Sequence, residues 1–130
     1  MTAQPATTLS DGVVTLRRWR PADAPAVFAA CQDPLIARFV PIPQPYELAS
    51  AEGFVEARRN DEDGGHESGF AIVNADTETL LGAISRYGPI GHRAMFGYWL
   101  APAARGRGVA TRALHLIVDW TLTTTDVIRL

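Results

Sequence analysis

The run Ala101-Pro102-Ala103-Ala104-Arg105-Gly106-Arg107-Gly108-Val109-Ala110-Thr111 joins an apolar segment, Gly97-Tyr98-Trp99-Leu100, to an amphipathic one, and its residue types are those of a phosphate cradle. The first turn of a helix carries four backbone N–H groups with no intrahelical partner, and the aligned peptide dipoles put partial positive charge at the same end. A phosphate suits that end. Gly106 and Gly108 lack the Cβ atoms that would hold a diphosphate off the backbone, and they accept the positive φ that turns successive amides toward one point. Arg105 and Arg107 add full charges beside them. The other reading of these residues is a tight strand-to-helix turn with solvated arginines; the length of the surrounding pattern favours the cradle.

Two other phosphate loops are excluded. A P-loop needs Gly-Lys before Ser or Thr, and the chain has no lysine. A dinucleotide fingerprint needs a third small residue where Thr111 stands and an acidic residue about twenty positions further on, for which Asp126 is a poor match. His115 and Asp119, one helical turn apart, read as a surface contact rather than an acid–base pair. His66, His92 and His115 lack metal-ligand spacing, so no metal is expected. The single Cys31 sits among helical apolar residues and reads as a buried thiol, not a nucleophile.

The elements that must carry the cradle follow from periodicity. Val13 to Trp19 alternates as a strand, and Pro21 opens a helix that Asp33-Pro34 interrupts, with one more turn over Leu35 to Phe39. Pro41-Ile42-Pro43-Gln44-Pro45 can be neither helix nor central strand, and is an extended connector placed to border a second substrate. Glu47 to Asn60 is a helix on which Leu48, Ala51, Phe54, Val55 and Arg58 trace one face, and Asp61-Glu62-Asp63-Gly64-Gly65 ends it as an acidic loop. Glu67 to Val73, Leu80 to Tyr87 and Arg93 to Leu100 form a meander, with Gly88-Pro89-Ile90-Gly91 as its second connection. After the cradle, Val109, Ala113, Leu116, Ile117 and Trp120 share one helical face, and Arg112, His115, Asp119 and Thr123 the other. Trp99, Tyr98 and Trp120 read as core.

With 130 residues the chain makes one domain, 1–130, large enough to bury a core. A net charge of −2 gives no general attraction to nucleic acid or to an anionic membrane, so anion binding must be local. Met1 to Asp11 is polar and no apolar run approaches membrane-spanning length, which makes the cytoplasm the expected address.

Tyr98-Trp99-Leu100-Ala101-Pro102, then Arg105 to Thr111 and Ala113-Leu114, resembles the acetyl-CoA signature of the GNAT acetyltransferases, in the branch of ribosomal-protein N-terminal acetyltransferases. Val13 to Trp19 followed by Pro21-Ala22-Asp23-Ala24 resembles that family's opening strand and helix, so the likeness covers nearly the whole chain. The resemblance implies an α/β three-layer fold: a twisted, mixed and mostly antiparallel sheet with flanking helices. It also implies acetyl-CoA as co-substrate, held by the loop amides of Arg105, Gly106, Arg107, Gly108, Val109, Ala110 and Thr111. Trp99 and Leu100 would meet the pantetheine arm, with an N–H near Leu100 facing the developing oxyanion. The acceptor would be a primary amine, on a peptide N-terminus or a small molecule, attacking the thioester directly.

Two departures bear on activity. Relatives commonly carry Glu where this chain has Met95, so the base is unassigned; Glu67 and His92 are the residues to test, beside a water chain to solvent. Relatives also continue past Val127-Ile128-Arg129-Leu130 into a further strand, helix and hairpin, so the domain is expected to lack its last helix and hairpin. An uncovered sheet edge would follow, with dimerisation, exchange of elements or aggregation as its outcomes. A non-catalytic CoA-binding or assembly module is the alternative reading.

Overall fold

Phe70-Ala71-Ile72-Val73 is apolar at consecutive positions, as a strand is when both faces of its sheet are covered. The computed structural model, which describes residues 8–40, 42–64, 67–90 and 93–124, places this run in the middle of a five-stranded antiparallel sheet of order β1-β2-β3-β4-β5. The strands are β1 Leu9–Ser10, β2 Val14–Arg17, β3 Glu67–Asn74, β4 Leu80–Ile90 and β5 Arg93–Leu100, and the α-helices are α1 Ala24–Ala30, α2 Pro34–Phe39, α3 Leu48–Gly64 and α4 Val109–Thr124. Ala71 and Val73 pack with Val27 of α1, Val55 of α3 and Trp99. Phe70 and Ile72 pack on the other face with Val109, Ala113 and Ile117 of α4. Three layers result, with β5 outermost in the described sheet and its C-terminal end feeding the glycine loop.

The expected meander, the Pro21 helix start and the amphipathic α4 are all present. Four features differ from expectation. The first strand is shorter, Val14–Arg17, because the Asp11 carboxylate accepts the amides of Val13 and Val14 at 2.9 Å each and makes a turn that pairs β1 with β2. The acidic stretch Asp61-Glu62-Asp63 is not loop: α3 includes it and reaches Gly64, since acidic residues do not by themselves break a helix. β4 continues through Gly88-Pro89-Ile90 instead of turning there; Gly88 takes φ 100° and the pairing with β5 shifts register between Tyr87 and Ile90. Leu48 and Tyr98, expected in the core, are 46% and 50% exposed. Leu48 lies in the first turn of α3, and Tyr98 is on the outermost strand, where alternation turns it away from Trp99.

Beneath α1, the guanidinium of Arg17 donates to both carboxylate oxygens of Asp23 at 2.9 and 2.8 Å, and the Arg20 amide donates to the same carboxylate at 2.8 Å. Both side chains are buried. Burial favours the protonated acid, but the Arg17 hydrogen bonds and the Arg20 amide outweigh it and hold the Asp23 carboxyl below its ordinary value. A folded-state value below the unfolded one means that this contribution to stability is complete above about pH 4 and drains away as pH falls below it. The urea midpoint is therefore expected to drop more steeply on acidification in the wild type than in Asp23→Asn, measured as parallel pH series. Equal slopes would contradict the assignment.

Candidate functional site

The loop between β5 and α4 begins with a 3-10 turn, Pro102–Ala104, in which the Ala104 amide donates to the Ala101 carbonyl at 2.9 Å and the Arg105 amide to the Pro102 carbonyl at 3.3 Å. Gly106 and Gly108 follow with φ 72° and 73°, conformations that L side chains rarely adopt. The first α4 amide with a backbone partner is that of Arg112, bonded to the Gly108 carbonyl at 3.1 Å. Among the described residues, nothing accepts the amide hydrogens of Gly106, Arg107, Gly108, Val109, Ala110 or Thr111. Among the described residues, a Cβ on Gly106 or Gly108 would meet no atom within 4 Å beyond its immediate chain neighbours, so the space over both glycines is open there. Unclaimed donors, a helix dipole and an open floor fit a diphosphate.

The two loop arginines behave differently. Arg107 is exposed, with one long contact of 3.5 Å to the Ala103 carbonyl. Arg105 turns back into the protein: its Nη2 pairs with the Asp33 carboxylate and donates to the Leu100 carbonyl at 3.1 Å. Both its backbone amide and its charge are thus engaged within the chain. The Arg105 guanidinium keeps the Asp33 carboxyl below its ordinary value.

The strand end offers a backbone edge. The Ala101 amide donates to the Leu81 carbonyl at 2.8 Å. In an antiparallel ladder alternate residues face the same neighbour, so the N–H and C=O of Leu100 point away from β4 toward the outer edge. Gly82 makes this closeness possible: a Cβ there would lie 2.2 Å from the Trp99 carbonyl oxygen.

Two hollows matter here, one beside β5 and one along α4. A cavity of about 360 Å³ opens on the α1–α3 side, with Cys31, Ile42, Tyr46, Phe54, Tyr87 and Trp99 in its wall. Arg58 is the one charged residue among the described lining. Burial pushes the Cys31 thiol up, as it does the neighbouring Tyr46 hydroxyl, so Cys31 stays a protonated wall residue. A second, shallower groove of about 600 Å³ runs from Arg107, Gly108 and Thr111 along the exposed face of α4 past Arg112 and His115.

The sequence matches the acetyltransferase (GNAT) domain family over residues 14–130. The chain belongs to that family. Solved structures agree in fold. RimL, the ribosomal L7/L12 alpha-N-protein acetyltransferase, in its apo form superposes with a TM-score of 0.79 at 16% identity, covering 98% of this chain and 71% of that one. The acetyl transferase from Salmonella typhimurium, which modifies the N-terminal serine of the 50S ribosomal subunit protein L7/L12, gives 0.73 at 19% identity over 88% and 67%. The microcin C7 self-immunity acetyltransferase MccE, solved with acetyl-CoA and AMP, gives 0.71 at 18% identity over 91% and 67%. No curated protein matches the chain.

The structure thus gathers Trp99, Leu100 and residues 105–111 at one end of the sheet of a GNAT domain. Of the two residues singled out as bases, Glu67 has its backbone paired with Tyr87 of the cavity wall, and His92 lies outside the described residues, as do Val127 to Leu130. His115 and Asp119 are both exposed on α4, and the described residues contain no group of three His, Cys, Asp or Glu able to hold a metal. No described helix is long and apolar enough to cross a membrane. Sequence reasoning missed the Arg105–Asp33 pair, which joins positions 72 apart, and the close approach at Gly82. The signal at Asp33 was its place before Pro34, where it reads only as an interruption of the helix.

Proposed function

We propose that this protein is an N-acetyltransferase that takes acetyl from acetyl-CoA and gives it to a primary amine, by direct attack of the amine on the thioester carbonyl. The carrying observation is the set of unclaimed amides from Gly106 to Thr111 lying beside the outward-facing backbone of Leu100. In this reading those amides, with Arg107 beside them, hold the diphosphate, and Arg105 holds the loop. The edge at Trp99 and Leu100 lines up the pantetheine arm. The Leu100 N–H then meets negative charge as it grows on the carbonyl oxygen, where a fixed donor is most effective.

The acceptor occupies the 360 Å³ cavity on the opposite side of that edge, between the Ile42–Tyr46 connector and Tyr87. Its amine must be neutral to attack; nitrogen bonds to the carbonyl carbon, the carbon–sulfur bond breaks, and the ammonium proton leaves. Glu67 and His92 are the side chains to test for taking that proton, through Glu67→Gln and His92→Ala. Free protein N-terminal amines, the acceptor class named for the RimL neighbours, and small-molecule amines are both candidates for that cleft.

A second reading is a CoA-binding module without turnover. It is favoured by the described cavity wall, which contains no carboxylate or imidazole, and by Met95, 72% exposed on β5. One experiment separates the two: free CoA thiol released in the presence of an amine panel, run beside a thermal shift with acetyl-CoA. Turnover supports the transferase, a shift without turnover the module, and neither effect removes both.

A further inference from the structure

We infer that Arg105 and Asp33 act as a positioning pair that ties the wall of the acceptor cavity to the end of β5, fixing the relation between the two substrates. The inference rests on the acetyl-transfer reading above. The Arg105 guanidinium makes two contacts, to the Asp33 carboxylate and to the Leu100 carbonyl oxygen at 3.1 Å. Holding that carbonyl restrains the backbone of Leu100, and with it the direction of the Leu100 N–H on the same outer edge.

Asp33 supplies the other half. It stands two residues beyond Cys31 of the cavity wall, its carbonyl accepts the Ala37 amide at 3.3 Å to open α2, and α2 leads on to Val40 and Ile42 of the same wall. The Asp33 side chain is only 13% exposed and that of Arg105 34%, so water screens the pair incompletely. Residues far apart in the chain, one beside each proposed substrate, are thereby joined by one guanidinium. Arg107, two positions on, is exposed and has no such anchor among the described residues, so the charge proposed beside the diphosphate and the charge that sets the geometry are separate residues.

The test uses Asp33→Asn, which keeps a good helix-starting residue while removing the charge, and Arg105→Lys, which keeps the charge but not the planar fork. Acetyl-CoA affinity is measured by calorimetric titration, and kcat and KM for an accepted amine by thiol release. Asp33→Asn is expected to bind acetyl-CoA within about twofold of wild type, because no cradle amide is touched, while kcat/KM for the amine falls about tenfold. Arg105→Lys, which keeps the charge, is expected to show a smaller loss of the same kind.

An unchanged kcat/KM in Asp33→Asn overturns the pair, and so does a loss no larger than its loss of acetyl-CoA affinity. If Asp33→Asn lowers the thermal midpoint by more than about 5 °C, the same readouts on Arg105→Lys decide. A wild-type chain that acetylates no amine overturns the transfer reading and this pair with it. A wild type that turns over while both variants match it overturns the pair alone.

Discussion

Gly108→Val is expected to weaken acetyl-CoA binding at least about 100-fold while costing the fold only about 1–2 kcal/mol. The two effects separate because of what surrounds the position. Among the described residues, a Cβ on Gly108 meets nothing within 4 Å beyond its chain neighbours, so the added bulk chiefly strains the backbone, which must hold φ near 73°. The ligand has no such room. The new side chain rises from the loop whose amides, from Gly106 to Thr111, hold the diphosphate in the proposed reading, and keeping the phosphates at a distance would remove charge-assisted hydrogen bonds worth about 1.5–3 kcal/mol each. Calorimetric titration with acetyl-CoA reads the first quantity and urea unfolding the second. Gly108→Ala should fall between, sharing the strain but less of the bulk. Wild-type affinity in Gly108→Val would mean that the diphosphate sits elsewhere, and the functional reading would fall with it.

Why the glycine loop and its helix could be read from sequence and the cavity could not is a matter of range. Gly106, Gly108 and the α4 stripe of Val109, Ala113 and Ile117 are local signals, since a loop and the helix it opens are set by neighbouring residues. The strands were legible for the same reason: Phe70 to Val73 must be covered on both faces, and that needs no knowledge of what covers them. Arg105 shows the limit. An arginine beside a glycine loop reads as a phosphate ligand, and only the fold reveals an aspartate 72 positions away that claims it. α3 shows another limit, because Asp61-Glu62-Asp63 is compatible with loop and helix alike and the fold places it in the helix. Tyr98 was read as core from its aromatic ring, yet burial depends on which strand lies outermost, and that is topology rather than composition.

Gly82→Ala is expected to destabilise the fold by about 3 kcal/mol and to lower kcat about 100-fold in whatever protein still folds. The added methyl would lie 2.2 Å from the Trp99 carbonyl oxygen and 3.0 Å from the Leu100 Cα. Both are backbone atoms, so no side-chain rotation relieves the overlap, and β5 must move away from β4 at its C-terminal end. That movement strains the Ala101–Leu81 hydrogen bond of 2.8 Å and carries the Leu100 peptide with it. In the proposed reading the Leu100 N–H meets developing charge, and a displacement of about 1 Å at such a donor is enough for a loss of this size. Acetyl-CoA affinity should suffer less, since the amides of Gly108 to Thr111 belong to the start of α4, which is held from the other side by the Arg112–Asp11 ion pair at 3.0 Å. Urea unfolding, kcat and acetyl-CoA titration on the one variant therefore give three different magnitudes. Equal losses in kcat and affinity would show that the strand end only binds, and a variant as stable and active as wild type would show that β4 and β5 do not need their close approach.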